Sequence, residues 1–178
     1  NKLGVEATKH TINNDVKKTF NNLGVAAPDY YQLVEGESSV KEFRDALIAG
    51  KKAHGESGAS VTVYDKLGYE GSKLFLTSDK QAGFAITPDG DIISVFNTPK
   101  SPYKGITPSM LMLAVQHGGR KLDAFNIHLT KLYMDAGFRP VSRTKFNKQF
   151  KPSGWNYETF KRWKDGTPDV YAYVYDPN

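Results

Sequence analysis

A chain of 178 residues, 39% hydrophobic and 12% aromatic, is long enough to bury a core as one domain and too apolar for a disordered segment. It holds no cysteine, which excludes disulfides, thiolate nucleophiles and cysteine-based zinc sites. The net charge is +5, yet the segment from Arg139 to Lys164 carries +7 by itself, eight Lys or Arg against the single acid Glu158, and leaves −2 for the rest. Such a patch attracts anions of several kinds: nucleic acid, phosphorylated cofactors or acidic surfaces. No apolar run is long enough to span a bilayer and no signal-peptide pattern opens the chain; the lack of cysteine fits the cytoplasm, which is the expected compartment. The first residue is Asn rather than Met, as in a piece of a longer protein.

In chain order, residues 1–29 are polar and Asn-rich, with an amphipathic stretch near Val16–Leu23, and read as a loosely attached lead-in. The main domain is then 30–178. Tyr30–Val34 is a strand. Ser39 followed by Glu42 forms a capping-box pattern, and Val40, Phe43, Ala46 and Leu47 recur at helical spacing up to Gly50. A Gly- and Ser-bearing loop over 51–60 leads to strands at Val61–Tyr64 and Lys73–Thr77. Gly83–Thr87, the turn Pro88-Asp89-Gly90-Asp91 and Ile92–Phe96 make a hairpin.

A helix opens at Thr107 as N-cap with Pro108 behind it, buries Met110, Leu111, Leu113 and Ala114, and stops at Gly118-Gly119. Leu122–Phe125 is a short buried strand. Leu129, Leu132, Tyr133 and Ala136 share a helix face that ends at Gly137. Phe138–Thr144 and Val170–Tyr175 are strands, separated by a basic, aromatic insertion at 145–168 with Trp155 and Trp163; a helix packing its aromatics on the sheet is expected there. The class is α/β in the α+β sense, built on one mostly antiparallel central sheet with flanking helices.

The stretch Ile92–Phe138 carries the functional signal. A strand feeds a loop with Lys104 and Gly105, and a helix follows at Thr107-Pro108, an arrangement that can turn backbone N–H groups toward a phosphate. With Leu132-Tyr133 and Gly137-Phe138 beyond it, the stretch resembles the acetyl-CoA-binding core of the GNAT acyltransferase family, and the element order resembles that family from about Tyr30 to Tyr175. The block Gly119–Phe138 followed by Pro168-Asp169-Val170 resembles divergent domains of this kind in phage and prophage proteins. The resemblance implies an N-acyltransferase that uses acetyl-CoA as cosubstrate, without a metal, and an amine acceptor, protein or small molecule.

On the family's pattern, Val95, Phe96 and Asn97 would offer main-chain groups to the pantetheine arm. Tyr103, Lys104, Gly105, Ile106, Thr107 and Ser109 would form the phosphate loop and helix start, and Asn126 would follow the next strand. Tyr133 would protonate the leaving thiolate. Asp123, beside the same cleft, is the candidate general base. Of the family's loop pattern (Arg or Gln, two residues, Gly, one residue, then Gly or Ala), only Gly105 matches, and Pro102 and Pro108 offer no N–H.

Each residue also has a structural reading. Tyr133 is equally a core tyrosine, Gly105 a turn residue, Asn126 a helix cap and Asp123 half of an ion pair. His117 and His128 lack metal-ligand spacing and read as ordinary histidines. Two alternatives to the enzyme follow. One is a GNAT-shaped binding module that has lost catalysis and acts by protein or nucleic-acid contact. The other is an anionic partner, nucleic acid in particular, held at the Arg139–Lys164 patch.

Overall fold

Short strands buried on both faces, between two cores, set the architecture. The computed structural model describes residues 3–127 and 129–178. In chain order the elements are β1 (Ala7–His10), α1 (Asn14–Asn22), β2 (Tyr30–Leu33), α2 (Glu37–His54), β3 (Lys73–Leu76), β4 (Ala82–Ile86), β5 (Ile92–Asn97), α3 (Thr107–Gln116), β6 (Lys121–Phe125), α4 (Thr130–Asp135), β7 (Phe138–Thr144) and β8 (Val170–Tyr175). The class is α+β. Leu74 and Leu76 of β3 and Ala85 of β4 face α2, where they meet Phe43, Ala46 and Leu47. Phe75, Phe84 and Ile86 face the other way, against Met110, Leu111, Leu113 and Ala114 of α3. Side chains such as Phe43, Leu47 and Leu111 are fully buried, each contributing about 1.5–3 kcal/mol by leaving water.

The strands form two antiparallel sheets where the sequence suggests one. Five strands pair in the order β1-β2-β3-β4-β5, and three in the order β6-β8-β7. Among the described residues a single parallel bridge, Asp91 to Lys121, joins them. β5 carries an extra residue opposite β4, since Gly83 pairs with Phe96 but Ala85 with Ile93. Ser94 in that bulge has φ 54°, held by its hydroxyl donating to Thr62 O (3.0 Å) and meeting the Tyr69 hydroxyl (2.7 Å). A bulge bends its strand and interrupts the ladder, and beyond it β5 and β6 go separate ways. α3 spans the gap from behind, because its core also takes in Leu122, Phe138 and Tyr173 of the smaller sheet.

Several expectations need correcting. Residues 1–29 are not a loose lead-in: β1 pairs with β2, Asn13 caps α1 by accepting from Asp15 N, and Ile12 and Ala27 lie in the core. α2 runs through Gly50 to His54, with Ser39 inside the helix. Gly50 is a packing residue, since a Cβ there would meet Phe96 and Thr98 at 3.0 Å. Ile106 takes the capping position before α3. Val61–Tyr64 joins no sheet; it is an extended tether, with Thr62 O accepting from Ser94 and Tyr64 O from Arg44 Nε (2.9 Å).

The insertion has turns and short 3-10 segments in place of the expected helix. Asn147 and Asn156 accept from the backbone N–H two residues on, turn chemistry that competes with helix. Its aromatics pack even so. Trp155 stacks on Phe160 at 4.1 Å beside Phe125 and Phe146, and its Nε1 donates to Gly166 O (2.9 Å).

Candidate functional site

Where β5 and β6 part, a narrow cleft of about 170 Å³ opens above the Asp91–Lys121 bridge. Ser94 and Val95 line one wall, Leu122 to Phe125 the other, and Tyr133 of α4 reaches in from behind. Edge strands that separate leave main-chain groups unpaired, so a slim polar arm can complete the ladder. Two wider grooves, of about 410 and 440 Å³, lie near Leu33–Leu74 and near Gly4–Gln81, and no candidate residue lines either.

Tyr133 is 8% exposed and packs on Tyr173 with ring centroids 5.5 Å apart. Its hydroxyl makes no hydrogen bond among the described residues, and the residue lines the cleft. Burial, and then the Tyr173 ring beside it, push its pKa up to about 12. The phenol is therefore protonated at neutral pH, the state a proton donor requires.

Asp123 borders the same cleft on an exposed position of β6. The strand–turn pattern hid two neighbours. Asp91, which looks like a turn residue, and Tyr64, which looks like a strand residue, both line this cleft. Burial first, and then Asp123, raise the Asp91 pKa. Burial and the charges of Asp91 and Asp123 raise that of Tyr64. The cleft thus has an acid-rich end by the bridge and a phenol deeper in. No local signal in the sequence links residues 64, 91 and 123; the approach of the two sheets does.

At the far end of β5 lies the loop before α3. The N–H groups of Lys104, Gly105, Thr107 and Ser109 meet no acceptor among the described residues, and Lys104-Gly105 form a hydrogen-bonded turn ahead of the helix. Gly105 has φ +63°, a conformation that suits glycine. Free amides at a helix start form an anion-binding concavity. One side of the loop is covered by the residues after α1: Ala26 N donates to Lys104 O (2.9 Å), and a Cβ on Gly105 would lie 3.2 Å from Gly24 O. The Ser109 hydroxyl is turned inward, onto Ala26 O (2.5 Å) and Ile106 O (2.9 Å). Tyr103 is tied through its hydroxyl to Asp79 (3.1 Å), and burial and that bond push its pKa up to about 12.

Three candidates are engaged elsewhere. The Phe96 side chain points under α2, edge-on to Phe43, so only its main chain is near the cleft. Asn97 braces the loop, donating to Tyr103 O (2.8 Å) and accepting from the Ser101 hydroxyl, while its carbonyl accepts from His54 Nε2 (2.6 Å). Asn126 accepts from the Thr130 hydroxyl (2.9 Å) and donates to the Tyr171 hydroxyl (3.3 Å), a post between β6, α4 and β8. His117 packs against His10 with ring centroids 4.2 Å apart; His128 lies outside the described residues. Among the described residues no group of three or more His, Asp or Glu is placed to hold a metal ion, and no helix is long and apolar enough to cross a membrane. Compared with known proteins, the chain matches no family model, no curated protein and no solved structure.

Proposed function

We propose that this chain is a GNAT-type N-acyltransferase that moves an acetyl group from acetyl-CoA to an amine. The observation that carries the reading is the cleft between β5 and β6, lined by Tyr133, with amides at the loop after β5 that meet no acceptor among the described residues. The pantetheine arm would lie along the outer edge of β5, and its pyrophosphate would take the Lys104, Gly105 and Thr107 amides, with Lys104 as a point charge.

With no cysteine in the chain, transfer goes directly from thioester to amine. The amine nitrogen attacks the carbonyl carbon, the carbon–sulfur bond breaks, and the thiolate takes its proton from Tyr133. The proton lost by nitrogen passes to Asp123, or through water to Asp91. Burial in the same cleft raises the thiol pKa toward that of the phenol, which makes the proton transfer less uphill.

A second reading, a GNAT-shaped binding module without catalysis, draws on the covered loop and on Pro102 and Pro108, which supply no N–H. Titration calorimetry with acetyl-CoA separates the two. The enzyme reading expects one saturable site, weakened when Lys104 is replaced by Glu. No heat at about millimolar ligand, an affinity worth only about −4 kcal/mol, would overturn it.

A further inference from the structure

We propose that the surface running from Lys145 to Lys151 and across to Arg162 is a docking site for single-stranded nucleic acid. The proposal is independent of the acyl-transfer reading, because none of these residues lines the cleft.

The structure divides the basic segment into cations that hold the fold and cations that do not. Arg139 donates to Met134 O (2.7 Å) and Phe138 O (3.1 Å). Arg143 and Lys164 converge on the buried Asp169, at 3.6 and 2.8 Å. Lys161 lies 3.9 Å from Glu158. Four remain: Lys145 and Lys148, with no ion pair or hydrogen bond among the described residues, and Lys151 and Arg162, which rest on aromatic faces. All four are exposed. They are the cations available to a partner.

Aromatic rings decide which anion fits. Phe150 sits between Lys148 and Lys151 and is 81% exposed. The core beside it is complete without that ring, since Trp155, Phe160, Phe125 and Phe146 close on one another. Lys151 lies 5.4 Å from the Tyr157 ring centroid and Arg162 lies 5.3 Å from that of Trp163. Cations interleaved with the exposed Phe150 ring and the partly buried Tyr157 and Trp163 rings match a strand whose phosphates and unstacked bases alternate, and bases stack on aromatics whatever their sequence. An acidic protein surface would use the charges and leave Phe150 without a role. Duplex DNA is disfavoured because the segment has only turns and 3-10 pieces, with no helix to enter a groove.

The test is fluorescence anisotropy of the full chain with a labelled oligo-dT of about 16 nucleotides, the upper span of one such site. Four neutralised phosphates give a salt slope near −3, so affinity should fall about fiftyfold between about 50 and about 200 mM salt. Lys148→Glu with Lys151→Glu should flatten that slope by about half or more. Phe150→Ala should weaken binding about tenfold at either salt and leave the slope unchanged. No complex at low salt overturns the proposal, as does an unchanged affinity in Phe150→Ala. So does equal binding of a labelled poly-Glu peptide, which would mark an acidic protein as the partner.

Discussion

Tyr133→Phe removes one oxygen atom from the cleft and leaves the ring where it was. Because that hydroxyl has no hydrogen-bond partner among the described residues, its loss breaks none there, and stability should change by less than about 0.5 kcal/mol. The ring is a different matter. It is 8% exposed and packed on Tyr173, so Tyr133→Ala should cost about 3–5 kcal/mol. If the phenol protonates the departing thiolate, Tyr133→Phe should bind acetyl-CoA as the parent does and turn over roughly 10²–10⁴ times more slowly. Thiol release from acetyl-CoA against a panel of amines measures turnover, calorimetry measures cofactor affinity, and urea unfolding measures stability. Parent-like turnover in the Phe variant would refute the proton-donor role. A stability loss above about 2 kcal/mol would refute the geometric premise that the hydroxyl is unbonded.

The His117 pKa is lowered by burial, then by His10 of β1, then by Lys73 of β3. A depressed folded-state value means its contribution to stability is present above the ordinary 6.5 and is lost as pH falls through the folded value. Urea midpoints should drop on acidification across that window, and His117→Gln should remove part of the drop; an unchanged pH dependence in the variant would rule the pair out. Asp91 behaves oppositely. Its pKa is raised by burial and by Asp123, so its ionisation opposes folding, and Asp91→Asn should stabilise the chain at neutral pH with a benefit that fades as pH falls through the carboxylate range. A variant less stable than the parent at pH 7 would contradict this. Trp155→Ala removes the ring stacked on Phe160 and the bond to Gly166 O, and should cost about 3–5 kcal/mol. Hydrogen exchange should rise most in residues 145–168, and uniform protection there would count against the insertion having its own small core.

Most elements were legible from local pattern. The short apolar run Leu74-Phe75-Leu76 and the turn Pro88–Asp91 are enough to give β3, β4 and β5 as strands, because a strand buried on both faces needs apolar residues at successive positions. Pro108 and Gly118 bracket α3 for reasons that also lie within one turn of chain. Gly50 misled, because a glycine chosen for close approach to Phe96 looks the same as one chosen to end a helix.

The sequence by itself therefore determined the α+β class, most of the strands and helices, the absence of cysteine chemistry and the location of the positive charge. Tertiary structure alone decided that the strands divide into two sheets. Beside the parting, Ser94 takes a left-handed conformation mid-strand, which no neighbour in sequence demands. It is held there by Thr62 and Tyr69, 32 and 25 residues away. The parting of β5 from β6 then brings Tyr64, Asp91, Asp123 and Tyr133 to one cleft. It is likewise the fold that brings the residues after α1 against the Lys104–Gly105 loop. Hydrophobic period reports which face of an element is buried. It does not report what the element is buried against, and both cleft and loop are set by that second quantity.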